Sequence, residues 1–170
     1  TLRLHGDDIA GTKDHLAARM RALGQAQDVL MASTVSETTL GLLTSKILEP
    51  YGVGQRIRID GPETRLAPRA AMALALAVHE LATNALKHGA LSGDQGAVEM
   101  RWEQDSDVFR LSWTESGGPP VAQPTRRGFG SQVIEKALSG YLGGQSRIEY
   151  RPGGVRLSVE APVASLLAAY

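Results

Sequence analysis

Residues 66–91, LAPRAAMALALAVHELATNALKHGAL, decide the fold. Pro68 suits a first helical turn, where its missing N–H would have no partner anyway. The alanine- and leucine-rich run behind it has high helix propensity. Gly89, just after Lys87 and His88, marks the stop. Glu80, Asn84, Lys87 and His88 recur at i, i+4, i+7 and i+8, so they share a face of this helix. Ala71, Ala75, Val78, Ala82 and Ala85 make the opposite face small and apolar. One reading of the polar stripe is the exposed side of an ordinary amphipathic helix. The other is a site, in which Glu and Asn offer oxygens to a hydrated divalent cation while Lys and His offer charge or donors to an anion. Asn is a poor mid-helix residue and calls for a reason to be there.

Two shorter helices are expected upstream. Leu16, Met20, Leu23, Ala26, Leu30 and Met31 repeat at helical spacing over residues 14–31, with Thr12 as N-cap. A second helix is expected from Ser36 to Leu48, capped by Ser36 or Thr34 and stopped by Pro50. Leu40, Leu43, Ile47 and Leu48 form its apolar side. RIRID, residues 56–60, alternates and reads as a short strand with Ile57 and Ile59 inward.

Downstream, AVEMRWE (97–103) and VFRLSWTE (108–115) alternate as two strands joined by a polar turn over 104–107. Period two puts Glu115 on the face of Phe109, Leu111 and Trp113, at the rim of the core. SGGPPVAQPTRRGFG, residues 116–130, is too rich in Gly and Pro for regular structure and reads as a binding loop or lid. A helix over 131–142 and a hairpin turning at 152–154 follow. The tail, ASLLAAY, reads either as a helical turn or as the start of further sequence. This order describes an α/β (α+β) two-layer sandwich, with helices on one face of a mainly antiparallel sheet and a helical segment in front.

The 170 residues suffice for one domain with a proper core. Lys+Arg and Asp+Glu both number 18, so no basic excess points to nucleic acid. No apolar run approaches the length of a membrane span, which argues against membrane contact. The absence of cysteine excludes disulfides, thiol catalysis and zinc–thiolate sites and is compatible with a cytoplasmic protein. No signal peptide is visible. A chain that opens on Thr1 is expected to be a piece of something longer.

Three features converge on chemistry: the polar stripe, Glu115 followed by Gly117 and Gly118, and Gly128-Phe129-Gly130-Ser131 opening a helix. Glycines let backbone approach a phosphate, and a helix N-terminus favours negative charge. Alone, a Gly-x-Gly is usually a turn, and a carboxylate such as Glu115 is usually a rim residue that can also accept from an exocyclic amine.

HELATNALKHGAL, LSWTESGGPPV and RRGFGSQVIEKAL resemble the N, G1 and G2 boxes of the HWE family of sensor histidine kinases. The family takes its name from a His in the N box and a Trp-x-Glu in the G1 region, matched by His79 and by Trp113 with Glu115. The resemblance runs from Ala26 to Pro162 with the boxes in order. It implies a Bergerat-type ATP-binding fold that transfers the ATP γ-phosphate to a histidine, for relay to a response regulator. It implies that Asn84 coordinates Mg²⁺ and that Glu80 positions a metal-bound water or assists proton removal. Lys87 and His88 are implied to contact phosphates, and Glu115 to read adenine. Gly117 and Gly118 then form the turn beneath the base, while Gly128, Gly130 and Ser131 close on the phosphates. For His79, ordering of the neighbouring strand or lid is preferred over direct catalysis. Trp102 and Trp113 are expected in the core. Arg126 and Arg127 are read as solvated loop charges before phosphate ligands, and Phe129 either covers the nucleotide or anchors the lid.

The family's phosphoacceptor motif, close to His-Arg-x-Lys-Asn, is absent, since neither His5 nor His15 has that context. HLAARMRALGQAQDVL resembles the second helix of the family's dimerisation hairpin. Residues 1–50 are therefore expected to be a remnant of that hairpin, supporting a homodimer, and 51–170 the catalytic domain. The phosphorylated helix and a sensor domain are expected upstream. Two other readings are a nucleotide-free phosphotransfer or scaffold protein of the same fold, and a different ATPase of that fold. Intact boxes argue against the first and the Trp-x-Glu signature against the second.

Overall fold

The computed structural model describes Met20, Gly24 and residues 38–52, 54–123 and 129–168. Met20 and Gly24 are helical. The rest of the helix expected over 14–31, His5, His15, Arg126, Arg127 and Gly128 lie outside the described residues, as do the side chains of Phe129 and Val133.

The first element, α1, is Leu40–Leu48. Its cap is neither Thr34 nor Ser36 but Thr39, whose Oγ1 accepts the Leu42 N–H at 3.4 Å. The helix does not include residues 38 and 39 because Thr39 is extended and bridged to Arg65. Leu40 N donates to the Thr64 carbonyl at 2.8 Å and Leu66 N to that of Thr38 at 2.9 Å. Leu40, Leu43, Ile47 and Leu48 are buried and share one core with Leu74 and Val78 of the long helix. This helix thus packs into the core of the sandwich.

A single 3₁₀ turn over Glu49–Tyr51 leads to β1, Ile57–Asp60. The long helix, α2, is Pro68–Lys87, with Pro68 in its first turn as its sequence predicts. The hairpin strands β2 and β3 are Ala97–Gln104 and Val108–Ser116. Helix α3, Phe129–Leu142, starts two residues before its expected first residue. Strands β4, Gln145–Arg151, and β5, Gly154–Pro162, form the second hairpin, and a short helix α4, Val163–Leu167, resolves the tail.

The five strands lie in the order β1-β2-β3-β5-β4. β1 pairs parallel with β2, and every other pair is antiparallel. Met100 sits opposite Trp113 and Trp113 opposite Leu157, so these inward side chains form one row across the sheet. All three are essentially inaccessible to solvent. Burial of each such side chain stabilises the fold by roughly 1.5–3 kcal/mol. Helices cover this face. The other carries alternating charges, with Arg101 pairing Asp60 and Glu99, and Arg110 pairing Asp105 and Glu160. An open concavity of about 920 Å³ on that face is lined by none of the candidate nucleotide- or metal-binding residues.

Among the described residues, no helix is long and apolar enough to cross a membrane.

Candidate nucleotide site

Alanine packing sets the position of α2. Ala71, Ala75, Val78, Ala82 and Ala85 are all buried, and so are Ala70, Ala73 and Ala77 on other sides of the helix. Small side chains let neighbouring elements come close, so the polar stripe is not uniformly a solvent face. Glu80 is only 3% exposed and His79 7%. Asn84 is half-buried, and Lys87 and His88 are exposed at the helix end. The stripe therefore runs from the interior to the surface within two turns.

What covers Glu80 and Asn84 is the first turn of α3. A Cβ built on Gly130 would stand 3.1 Å from Glu80 Oε2 and 3.3 Å from Asn84 Nδ2. The absent side chain lets the helix N-terminus rest on these two groups. Ser131, the next residue, is half-buried. A carboxylate, a carboxamide and the N-terminal turn of a 14-residue helix are thus gathered in one place. This donor set fits Mg²⁺, a hard cation that takes one or two protein oxygens and fills its other positions with water and phosphate. It does not fit a metal bound wholly by protein. Among the described residues, no three His, Cys, Asp or Glu cluster.

The second half of the site forms around Glu115. The carboxylate is not at the rim of the core, as alternation alone suggests, but 5% exposed. Its Oε2 accepts the Ala90 backbone N–H at 2.9 Å, and its Oε1 accepts the Trp113 indole N–H at 3.2 Å. Burial raises its pKa, while these two hydrogen bonds pull the other way. Glycines make the enclosure possible. A Cβ on Gly89 would fall 2.2 Å from Glu115 Oε2, and one on Gly118 2.5 Å from Ala90 Cα. Gly117 adopts a left-handed φ of 68° as the chain leaves the strand.

The Tyr51 hydroxyl lies 3.4 Å from His79 Nε2 and 3.3 Å from Thr83 Oγ1, and the two rings meet edge to face. His79 thereby ties α2 to the turn after α1. Trp102 packs in the core as expected, its indole donating to the Pro62 carbonyl at 2.9 Å.

The structure brings Glu80, Asn84 and Gly130 together, and separately Glu115 and Gly118 with the 89–90 backbone, while Gly117 lies against the backbone of residues 95 and 96. Two contributors carry no signal in the sequence. The Ala90 N–H is a main-chain group without a side-chain signature. Arg56, which binds the carbonyls of the 89–96 loop, differs in no sequence feature from Arg58 two residues on.

Comparisons with known proteins agree with this fold. Residues 55–140 match the histidine kinase-like ATPase domain and residues 2–63 the HWE histidine kinase family. A blue-light-activated histidine kinase of Brucella anthropi is 37% identical over 97% of this chain and 35% of its own length. The chain thus spans about a third of that relative. In fold, the histidine kinase domain of the Erythrobacter litoralis EL346 blue-light activated histidine kinase matches with a TM-score of 0.68. It is 21% identical, and the match covers 89% of this chain and 76% of that one. The histidine kinase ThkA, solved in complex with the response regulator protein TrrA, matches with a TM-score of 0.56 at 17% identity, over 97% of this chain and 53% of that one. On the strength of the two family matches and the close relative, the chain belongs to the HWE histidine kinases and carries their ATPase domain.

Proposed function

We propose that this domain binds Mg-ATP between α2, the turn after β3 and the N-terminus of α3, and passes the γ-phosphoryl group to a histidine on a helix outside the described residues. The observation that carries this reading is the seating of Gly130 against Glu80 and Asn84, which joins the cation donors to an anion-favouring helix N-terminus. In this reading Asn84 holds Mg²⁺ through its amide oxygen, and Glu80 orients a water of the ion or assists proton removal. When bound, the ion neutralises charge on the phosphate oxygens. Lys87 and His88 contact phosphates from the exposed end of α2. Gly128, Gly130 and Ser131 close over them. Glu115 accepts the exocyclic amine of adenine with a lone pair left free by Ala90 and Trp113, above the turn of Gly117 and Gly118. The acceptor imidazole is nucleophilic when neutral, so positioning and charge neutralisation carry most of the catalysis.

We further propose that residues before Thr38 are the remnant of a dimerisation hairpin and that the ATP-binding domain starts at Thr38, since α1 packs in its core. A sensor domain and the phosphoacceptor helix lie upstream in the same protein, a homodimer forms through the hairpin, and a response regulator receives the phosphoryl group. The ThkA–TrrA complex supports a partner of that kind. Dependence on ATP argues for the cytoplasm.

Calorimetric titration with ADP, with and without Mg²⁺, tests the site. Micromolar-range binding that needs Mg²⁺ for full strength and weakens in Asn84→Asp supports it. No binding by the folded protein at millimolar nucleotide would overturn it in favour of a nucleotide-free scaffold. Incubated alone with Mg-ATP, the chain is expected to gain no acid-labile phosphohistidine, because its phosphoacceptor motif is missing.

A further inference from the structure

Arg56 sits just before β1, half-buried, and its guanidinium is turned onto the loop between α2 and β2. Its Nε donates to the Gly96 carbonyl at 2.9 Å and its Nη2 to the Ala90 carbonyl at 3.0 Å. The same group reaches the carbonyls of Leu91, at 3.5 Å, and Gly93. One side chain therefore grips both ends and the middle of a seven-residue turn. That turn is closed so tightly that a Cβ on Gly96 would fall 1.7 Å from the Ala90 oxygen.

Ala90 is held from both sides. Arg56 takes its carbonyl, and its N–H donates to Glu115 Oε2 at 2.9 Å. Gly118 presses on the same residue, with a built Cβ 2.5 Å from Ala90 Cα. The direction in which Glu115 points thus depends on where Arg56 fixes Ala90.

We propose that Arg56 is the positioning residue for base recognition: through the 89–96 loop it sets the Ala90 N–H that orients the Glu115 carboxylate toward the exocyclic amine of a purine. This rests on the adenine-reading role given to Glu115 above. A planar guanidinium with five donors can span several carbonyls at fixed spacing, whereas an ammonium is a compact point charge that cannot. Lysine at this position therefore keeps the charge and loses the clamp.

The test compares ADP with inosine diphosphate, which carries a carbonyl in place of the exocyclic amine, on the wild-type protein, Arg56→Lys and Arg56→Met. The wild type is expected to prefer ADP by about tenfold or more, since a site built to pair an N–H rejects the analogue lacking it. In both variants ADP binding falls to near the level of inosine diphosphate, whose own affinity changes little, and the remaining binding keeps its Mg²⁺ dependence. A purely structural role would weaken both nucleotides alike and leave the preference intact, and that result overturns the proposal. A wild-type protein that binds both equally would remove the base-reading role of Glu115 and with it the role of Arg56. A wild-type preference retained in the variants would overturn the role of Arg56 alone. Failure of both variants to fold would also overturn it, by making Arg56 a determinant of the fold.

Discussion

Trp113 and Glu115, two residues apart on β3, are hydrogen-bonded to each other: the indole N–H donates to Oε1 at 3.2 Å. The two letters of the Trp-x-Glu signature are therefore one structural unit, a buried donor holding a buried acceptor. Replacing Trp113 with Phe keeps an aromatic ring in the core but removes the donor and part of the packing. The expected cost is about 2–4 kcal/mol, from the unsatisfied oxygen and the cavity together. Denaturant unfolding measures it, and a loss below about 0.5 kcal/mol would show that the bond contributes little.

The raised pKa of Glu115 gives a pH signature. Its folded pKa exceeds the ordinary value of 4.5, so between the two the native state binds more protons than the unfolded one. Its contribution is therefore fully present below about 4.5 and is lost as pH rises through the folded pKa. Glu115→Gln removes that titration. In urea unfolding from pH 4 to 8, the stability of the wild type minus that of the variant should fall as pH rises. The variant also turns an amide N–H toward either Ala90 N–H or the Trp113 indole, which adds a constant penalty. A flat or rising difference would contradict the assignment.

Gly130 separates stability from function. A helical glycine usually destabilises by about 1 kcal/mol relative to alanine. Here a Cβ would meet Glu80 and Asn84 at 3.1 and 3.3 Å, tight contacts that side chains can relieve by small shifts. Gly130→Ala is expected to leave the melting temperature unchanged or raise it by a few degrees, and to weaken Mg-nucleotide binding severalfold. Calorimetry beside thermal unfolding reads both, and unaltered binding would mean that the contact is not part of the site.

Tyr51→Phe removes the hydroxyl that meets both His79 Nε2 and Thr83 Oγ1. The expected loss is about 1 kcal/mol of stability, with nucleotide affinity changed less than twofold. A large fall in affinity at unchanged stability would move His79 from holding α2 in place to serving the ligand.

Periodicity made much of the fold legible, because it states which residues share a face. Pro68 announced the long helix, and Phe109, Leu111, Trp113 and Glu115 fell on one side of their strand as alternation required. Periodicity does not give depth. Glu115 is buried because the 89–90 backbone folds over it, a contact between segments 25 residues apart that no local window contains. Glu80 is buried because α3 arrives from 50 residues downstream. The cap of α1 differs from the sequence expectation for the same reason: Thr39 caps because residues 64–66 hold the preceding chain extended. Arg56 was invisible because its partners are main-chain carbonyls, and every residue has one.

Residues 64–67 are hydrogen-bonded both to residues 38–40 and to Leu166. Thr38 and Leu40 are hydrogen-bonded to Leu66 and Thr64, and Ala67 N donates to the Leu166 carbonyl at 2.7 Å. The chain thus enters and leaves this region at a single corner, directly ahead of the helix that carries Glu80 and Asn84. Such a domain has the topology of a cassette. A short linker from Leu166 back to Thr38 should close it into a ring, and new ends cut in the exposed turn at residues 105–107 should yield a circular permutant. Any segment pulling on either flank pulls on the same few peptide bonds.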